Sequence, residues 1–153
     1  MKTSAYWLAL LTTCTALSVS AADLTRAEVE QRLATADKTH VADLKRKDLT
    51  ELDLSGLDFR NANLWGSDMR RANFSNSNLS GLVLDLAVMS KINLSGADFN
   101  NADLTDADLI GTTLEETNFA GANLTRTHFA GIKDKGRLKG LSESKHLDKA
   151  IFD

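Results

Sequence analysis

The stretch that decides the fold is SGADFNNADLTDADLIG, residues 95–111, in which a large apolar residue recurs at every fifth position. Five steps along an α-helix rotate a side chain by about 140°, so Phe99, Leu104 and Leu109 would share no helical face. Five steps along a strand change the face at every repeat, because side chains alternate between the two faces. Neither regular element buries these residues together, whereas a sharp turn in every quintet would do so.

The five-residue spacing continues far beyond this stretch. The central positions, all Leu, Phe or Met, are Leu44, Leu49, Leu54, Phe59, Leu64, Met69, Phe74, Leu79, Leu84, Met89, Leu94, Phe99, Leu104, Leu109, Leu114, Phe119, Leu124 and Phe129. Asp or Asn precedes fourteen of these eighteen residues, and Ala, Ser or Thr mostly stands one position earlier. Preferences held at several positions over so long a stretch indicate an internal repeat.

The second residue after each centre predicts where the chain turns. This position is Gly or Asn at Gly56, Asn61, Gly66, Asn76, Gly81, Gly96, Asn101, Gly111, Gly121 and Gly131. Both residues tolerate positive φ, which the third residue of a type II turn requires. The Asp and Asn residues before the centres can bond to nearby backbone groups and fix the turn, and the small residues before them are expected to point inward.

The quintets ANLWG, ANFSN, ADFNN, ADLTD, ADLIG and ANLTR resemble those of the pentapeptide-repeat family, and the resemblance covers residues 42–131. It implies an all-β fold, a right-handed quadrilateral β-helix with twenty residues in each coil. Residues twenty apart, such as Leu84 and Leu104, would then stack on neighbouring coils, about 4.8 Å apart.

Residues 1–22 have the layout of a secretory signal peptide. Lys2 precedes an apolar run from Tyr6 to about Val19, and small residues follow up to Ala22. The run is shorter than the roughly 20 residues of a membrane span. We expect cleavage after Ala21 or Ala22 and a periplasmic or secreted protein; an uncleaved anchor and a lipoprotein modified at Cys14 are the alternatives. Cleavage would also remove Cys14, the only cysteine of the chain.

The flanks of the repeat are expected to cover the ends of the solenoid. Residues 23–41 contain Thr25 and Glu28 at the spacing of a capping box, followed by Val29 and Leu33 on one helical face. This pattern predicts a short N-terminal capping helix and a linker. The C-terminal capping segment, residues 132–153, has five apolar residues that could close the other end, and a short helix is predicted near 143–149 after Ser142. The five are Leu138, Leu141, Leu147, Ile151 and Phe152.

One part of the repeat departs from its own pattern, LVLDLAVMSK at residues 82–91. Val83 and Val88 replace Asp or Asn, and Leu86 replaces the turn residue, at positions that face outward in the family. Trp65 would lie on the adjacent coil along the same edge. Clustered exposed apolar groups mark contact surfaces, so these four residues are a candidate interaction patch for a protein partner or a second copy of the chain. A loosened coil, or a patch covered by the protein's own tails, is the alternative.

The sequence contains no pattern typical of catalysis, and we expect no enzyme activity and no cofactor. His40, His128 and His146 do not have metal-ligand spacing, and no phosphate-binding loop or nucleophile elbow appears. Five carboxylates gather within one coil, where a solvated acidic wall is a simpler explanation than a cation site. They are Asp103, Asp106, Asp108, Glu115 and Glu116.

These features favour an exported, non-enzymatic scaffold or protein-interaction module. The net charge is only −3 and no basic stripe is visible, so no nucleic-acid binding is expected. No membrane span is expected after signal cleavage. The resemblance implies one alternative, because some members of the family are acidic DNA mimics that bind type II topoisomerase. An exported and mildly acidic chain fits that role less well.

Overall fold

The structure of the chain is a computed structural model that describes residues 23–132 and 135–152. Residues 42–131 form a β-helical solenoid in which most residues before a centre pair in parallel with the residue twenty positions later, as Asp53 pairs with Asn73. The coils are therefore twenty residues long: 42–61, 62–81, 82–101 and 102–121, followed by a partial fifth. The predicted signal peptide, residues 1–22, lies outside the described residues.

Regular strands are short because only about one residue in each quintet pairs with the next coil. In the described part of the chain, β1 (Ala42–Asp43) and β2 (Ala62–Asn63) are the strands, and they pair in parallel in one sheet of order β1-β2. Elsewhere the coils are joined by isolated parallel bridges. The predicted stacking at twenty residues is confirmed, with most of each coil being turn.

The core is formed by the stacked central residues of the repeat, and all eighteen of them are buried. The rings of Phe99 and Phe119, twenty residues apart, lie parallel with centroids 5.5 Å apart. The small residues two positions before the centres also point inward, as predicted. Where they are Ser or Thr, the hydroxyl donates to a backbone carbonyl. Thr127 Oγ1 bonds to the Leu104 carbonyl of the preceding coil at 2.8 Å, and Ser77 and Thr117 make the equivalent bond. Ser67 and Thr112 bond instead to the preceding centre in their own coil. The polar atoms in this narrow core are thereby satisfied.

The turns follow the predicted chemistry with one exception. The second residue after each centre has φ between 53° and 81°, even where it is Arg, Glu, Lys or Leu. Asn61 is the exception, so the prediction of positive φ at this residue is wrong. The turn itself is still closed there, because the Ala62 N–H donates to the Phe59 carbonyl at 2.8 Å.

The N-terminal helix α1 runs from Arg26 to Ala34 and has the predicted capping box, with Thr25 and Glu28 each bonded to the other's backbone N–H. Val29 is fully buried and Leu33 packs against the core, so the predicted apolar face contacts the solenoid. Among the residues that the structure describes, no helix is both long enough and apolar enough to cross a bilayer.

The C-terminal segment continues the solenoid with a different period. Three 3₁₀ turns, Lys135–Arg137, Leu141–Glu143 and Leu147–Lys149, alternate with bridges from Lys139, Lys145 and Ile151 to the coil below. The bridging residues are six apart, so a single helix near 143–149 was the wrong prediction.

The apolar residues of this segment divide between the core and the surface. Leu138 is buried, and Leu141, Leu147 and Phe152 pack against the core. Ile151 faces outward instead of closing the end as predicted, because it is a bridging residue and stacks on the outward His128.

Candidate functional site

The outward Asp and Asn side chains hold the turns of the solenoid together. Each of the fourteen that precede a centre accepts a hydrogen bond, 2.9–3.2 Å long, from the backbone N–H two residues further on. Some also bond between coils, as Asn73 Nδ2 donates to Asp53 Oδ1 at 3.0 Å. These positions therefore stabilise the turns, and a residue that cannot accept such a bond does not contribute to that stabilisation.

The predicted apolar patch occupies such positions. Val83 and Val88 cannot accept the turn hydrogen bond, and their side chains are 60% and 39% exposed. Leu86 is 56% exposed and has φ of 58°, a left-handed conformation that costs a non-glycine residue about 1–2 kcal/mol. All three apolar side chains thus face solvent, where they contribute little to packing, while the local turn loses favourable interactions. This pattern is typical of residues kept for contact with a partner.

Trp65 belongs to the same surface but is half-buried instead of projecting into solvent. Lys45 Nζ and the Arg46 guanidinium each lie 4.8 Å from the centroid of its ring, a cation–π distance. The sequence pattern indicates neither contact. Val41, 53% exposed, adds an apolar side chain to this surface, and sequence reasoning missed it because it lies just before the first repeat.

Trp65 and Val83 line an open groove with a volume of about 580 Å³, which we call the Trp65 groove, whereas Leu86 and Val88 lie outside its lining. Its lining includes Val41, Lys45, Asn63, Trp65, Leu82 and Val83. It therefore combines an aromatic ring, branched apolar side chains and a cation. The groove crosses the first three coils, since its lining runs from Lys45 and Arg60 to Val83.

The backbone ladder is interrupted at this groove. Between Asp43 and His128, the pairing at twenty residues is complete except for Asn63 and Val83. Most central N–H groups donate to the next coil, as Leu84 does to Asp103, but Leu64 makes no such bond to Val83. Met89 also lacks this bond, although Val88 and Asp108 beside it still pair. We call this interruption, residues 61–66 opposite residues 80–85, the open seam. It begins at Asn61, the turn residue that lacks positive φ.

The charged residues that line the groove, Lys45 and Arg60, are both positive, and Asp85 is the one carboxylate of the open seam. Arg60 lies at its edge and is neutralised by Asp58, whose Oδ2 is 2.6 Å from the guanidinium; hydrogen bonds from Arg60 hold the pKa of the Asp58 carboxyl below its ordinary value. Lys45 and Arg46 form no ion pair with any described residue. The surface of the ring therefore has two cations without a bound carboxylate, on a protein of net charge −3.

The acidic group of the fourth coil is divided among other partners. Arg126 binds Asp106 and holds its pKa below the ordinary value, while Glu115 and Glu116 pair with Arg137 and Lys139 at 2.8 Å. The other two carboxylates, Asp103 and Asp108, accept bonds from their own turns. Within residues 23–132 and 135–152, no group of three or more His, Cys, Asp and Glu side chains has the arrangement of a metal site.

The histidines lie apart from one another. His40 contacts Thr39 and Asp37 near the end of α1, His128 occupies an outward bridging position, and His146 is the left-handed residue before the last 3₁₀ turn. The structure thus does not bring them together at one site.

A family model described as pentapeptide repeats matches the chain in eight copies, over residues 42–66, 53–90, 67–106 and 102–133. Together these matches span more than half of the chain. A search of curated proteins found no match.

Several solved structures resemble the chain. HetL, a pentapeptide repeat protein involved in heterocyst differentiation regulation from the cyanobacterium Nostoc sp. strain PCC 7120, is 31% identical with a TM-score of 0.60; the match covers 71% of this chain and 46% of HetL. This chain thus spans about half the length of HetL. Rfr23 from the cyanobacterium Cyanothece 51142 is 21% identical with a TM-score of 0.48, over 84% of this chain and 100% of Rfr23. QnrB1, a plasmid-mediated fluoroquinolone resistance protein, is 21% identical with a TM-score of 0.37, over 77% of this chain and 69% of QnrB1.

Proposed function

Because the chain belongs to the pentapeptide-repeat family, we propose that it is an exported, non-enzymatic scaffold or protein-interaction module that contacts its partner through Trp65, Val83, Leu86 and Val88. The observation that carries this proposal is the exposure of Val83, Leu86 and Val88 at positions where the repeat otherwise has residues that stabilise its turns. Apolar side chains retained at such positions favour a role outside the fold.

The proposal is tested by restoring the repeat within the patch. In Val83→Asn/Leu86→Gly/Val88→Asn, each replacement is the residue that the turn prefers. Each new turn hydrogen bond should add about 0.5–1.5 kcal/mol to the free energy of unfolding, and glycine should relieve the left-handed backbone at position 86. We expect a variant at least as stable as the parent in urea melts that no longer retains the partners that the parent recovers from an envelope extract.

Thr113→Asn is the matched control, because it also places Asn directly before a centre. Position 113 belongs to a different set of residues stacked at twenty-residue spacing and lies away from the patch. It should gain stability and retain the same partners as the parent. Recovery of the same proteins by the triple variant and by the control would contradict the proposal. A second copy of this chain is one of the partners under test, and gel filtration of the parent and of the triple variant would reveal it.

Export is the second part of the proposal and is supported by the layout of residues 1–22. We expect the periplasmic or secreted fraction to contain a protein whose first residue is Ala22 or Asp23, as read by N-terminal sequencing. A protein found only in the cytoplasm with Met1 or Lys2 at its N-terminus would overturn this part and leave the interaction patch untouched.

The proposed shape of the module is a right-handed, four-sided solenoid. Support comes from the parallel pairing at twenty residues, since connections between parallel strands are right-handed in nearly all proteins. We propose that α1 covers the first coil, where Val29 is buried, and that residues 135–152 cover the last.

The alternative function, an acidic DNA mimic that binds type II topoisomerase, is less favoured by the charges. A DNA mimic presents closely spaced negative charge, whereas Arg60 and Arg70 neutralise Asp58 and Asp68 on the first two coils, where Lys45 and Arg46 also lie. Retention in the cytoplasm together with inhibition of a purified type II topoisomerase would favour this alternative.

A further inference from the structure

The open seam adds a feature that the apolar patch alone does not have. Val83 and Leu64 lack their inter-coil bonds, so neither N–H has a protein acceptor among the described residues. Unpaired strand-like backbone beside a groove is the arrangement to which extended peptides bind by adding main-chain hydrogen bonds. Val83 is largely exposed whereas Leu64 is buried, so the seam reaches the surface of the groove on its Val83 side.

The charges of the groove select among such peptides. Lys45 and Arg46 both lie over the Trp65 ring and have no carboxylate partner among the described residues. Three arginines of the first two coils, in contrast, are each paired with a carboxylate: Arg60, Arg70 and Arg71. A ligand with carboxylate groups could therefore bind these two cations, Lys45 and Arg46, without breaking an existing ion pair. Its apolar residues would meet Trp65, Val41 and Val83.

We propose that the Trp65 groove binds an extended acidic peptide segment of the partner protein, with alternating apolar and carboxylate side chains. The apolar side chains lie against Trp65 and Val83, the carboxylates bind Lys45 and Arg46, and the peptide backbone bonds to the exposed Val83 side of the open seam. This inference rests on the proposed function and names the chemistry of the partner at the same surface.

The chain offers its own probe for the test. It has two tryptophans, Trp7 and Trp65, so the full chain carrying Trp7→Phe reports on Trp65 alone by fluorescence. The ligand is a capped peptide of about eight residues in which glutamate alternates with leucine, long enough to cover a typical strand. A peptide of the same design with lysine in place of glutamate is the control ligand.

We expect the glutamate peptide to shift the Trp65 emission to shorter wavelength, because the half-buried ring becomes covered, and the lysine peptide to leave the emission unchanged. Raising the salt from about 0.05 M to about 0.5 M should weaken binding, since exposed charges are screened. Lys45→Glu/Arg46→Glu should bind the glutamate peptide at least about tenfold less tightly. Lys91→Glu/Lys145→Glu changes the net charge equally at exposed residues away from the groove and should bind it as the parent does.

Three results would overturn the inference: equal binding of both peptides, no binding of either, or equal binding by both charge-reversal variants. A shift of Trp65 emission with anionic phosphatidylglycerol vesicles or duplex DNA, but not with the glutamate peptide, would also overturn it. None of these results depends on the extract experiment with the restored repeat. A failure of the acidic-peptide inference is therefore distinguishable from a failure of the interaction patch.

Discussion

At the level of single residues, three positions of each quintet have separate structural roles. The centre fills the core, the residue before it bonds to the turn, and the second residue after it adopts the left-handed conformation. Because each of these roles is local, the sequence pattern predicted nearly all of them. It failed at Asn61, whose side chain suits a left-handed turn but whose backbone borders the open seam.

Leu104→Ala tests the packing of the central residues. Leu104 is fully buried in the coil below Leu124 and above Leu84, so truncation should leave a cavity and cost about 2–5 kcal/mol of unfolding free energy. Urea melts of the parent and the variant measure this loss. A loss well below 1 kcal/mol would mean that the neighbouring coils collapse into the space or that Leu104 is not in the core.

At the level of elements, the repeat was predictable and the C-terminal segment was not. Eighteen quintets make the five-residue period unmistakable, whereas the six-residue period appears only three times, at Lys139, Lys145 and Ile151. Ser142 followed by polar and charged residues also has the character of a helix start, so the sequence predicts a helix where the structure has 3₁₀ turns. The open seam is a loss of pairing between residues of two neighbouring coils, and the local turn chemistry of either coil contains no signal for it.

Gly140→Ala tests how the C-terminal segment is seated. A Cβ at Gly140 would lie 2.6 Å from the backbone nitrogen of Ala120 and 2.7 Å from its Cβ, and φ is 63°. Gly56→Ala is the matched control, since φ is 71° there but no atom lies within 4 Å of the added Cβ.

Both variants should lose roughly 1 kcal/mol from the left-handed backbone, and Gly140→Ala should lose clearly more because of the contact with Ala120. Thermal melts of the pair provide the comparison, with hydrogen exchange at residues 135–152 to locate the effect. Equal losses would show that the segment shifts to accept the methyl group.

At the level of the whole molecule, charge is unevenly distributed along the stack. The fourth coil is acidic, and the C-terminal segment that follows it supplies Arg137 and Lys139, which pair with Glu115 and Glu116. Cations also gather near the Trp65 groove on the first two coils. The sequence showed each charge but not this pairing, because the partners lie more than twenty residues apart.

Lowering the pH should destabilise the molecule through its carboxylates. Hydrogen bonds from Arg70, Arg126 and Lys139 hold the pKa values of Asp68, Asp106 and Glu116 below their ordinary values of 3.8 and 4.5. A carboxyl with a lowered pKa in the folded state contributes stability above its unfolded pKa, and the contribution is lost as the pH falls through the folded pKa.

Urea midpoints should therefore change little between pH 7 and pH 5 on account of these groups and fall below about pH 4. The decrease should be modest, because the ion pairs are exposed. An unchanged midpoint at pH 3 would show that these pairs contribute nothing to folding.

The open seam also bears on how the stack deforms. Between the coils 62–81 and 82–101, the columns of Met69, Phe74 and Leu79 keep their backbone bonds to the next coil, while the column of Leu64 does not. Two coils that are bonded at three centres and unbonded at the fourth are held least firmly beside the gap. We expect the solenoid to bend most easily there, and a peptide bound in the gap would set the angle between its two halves.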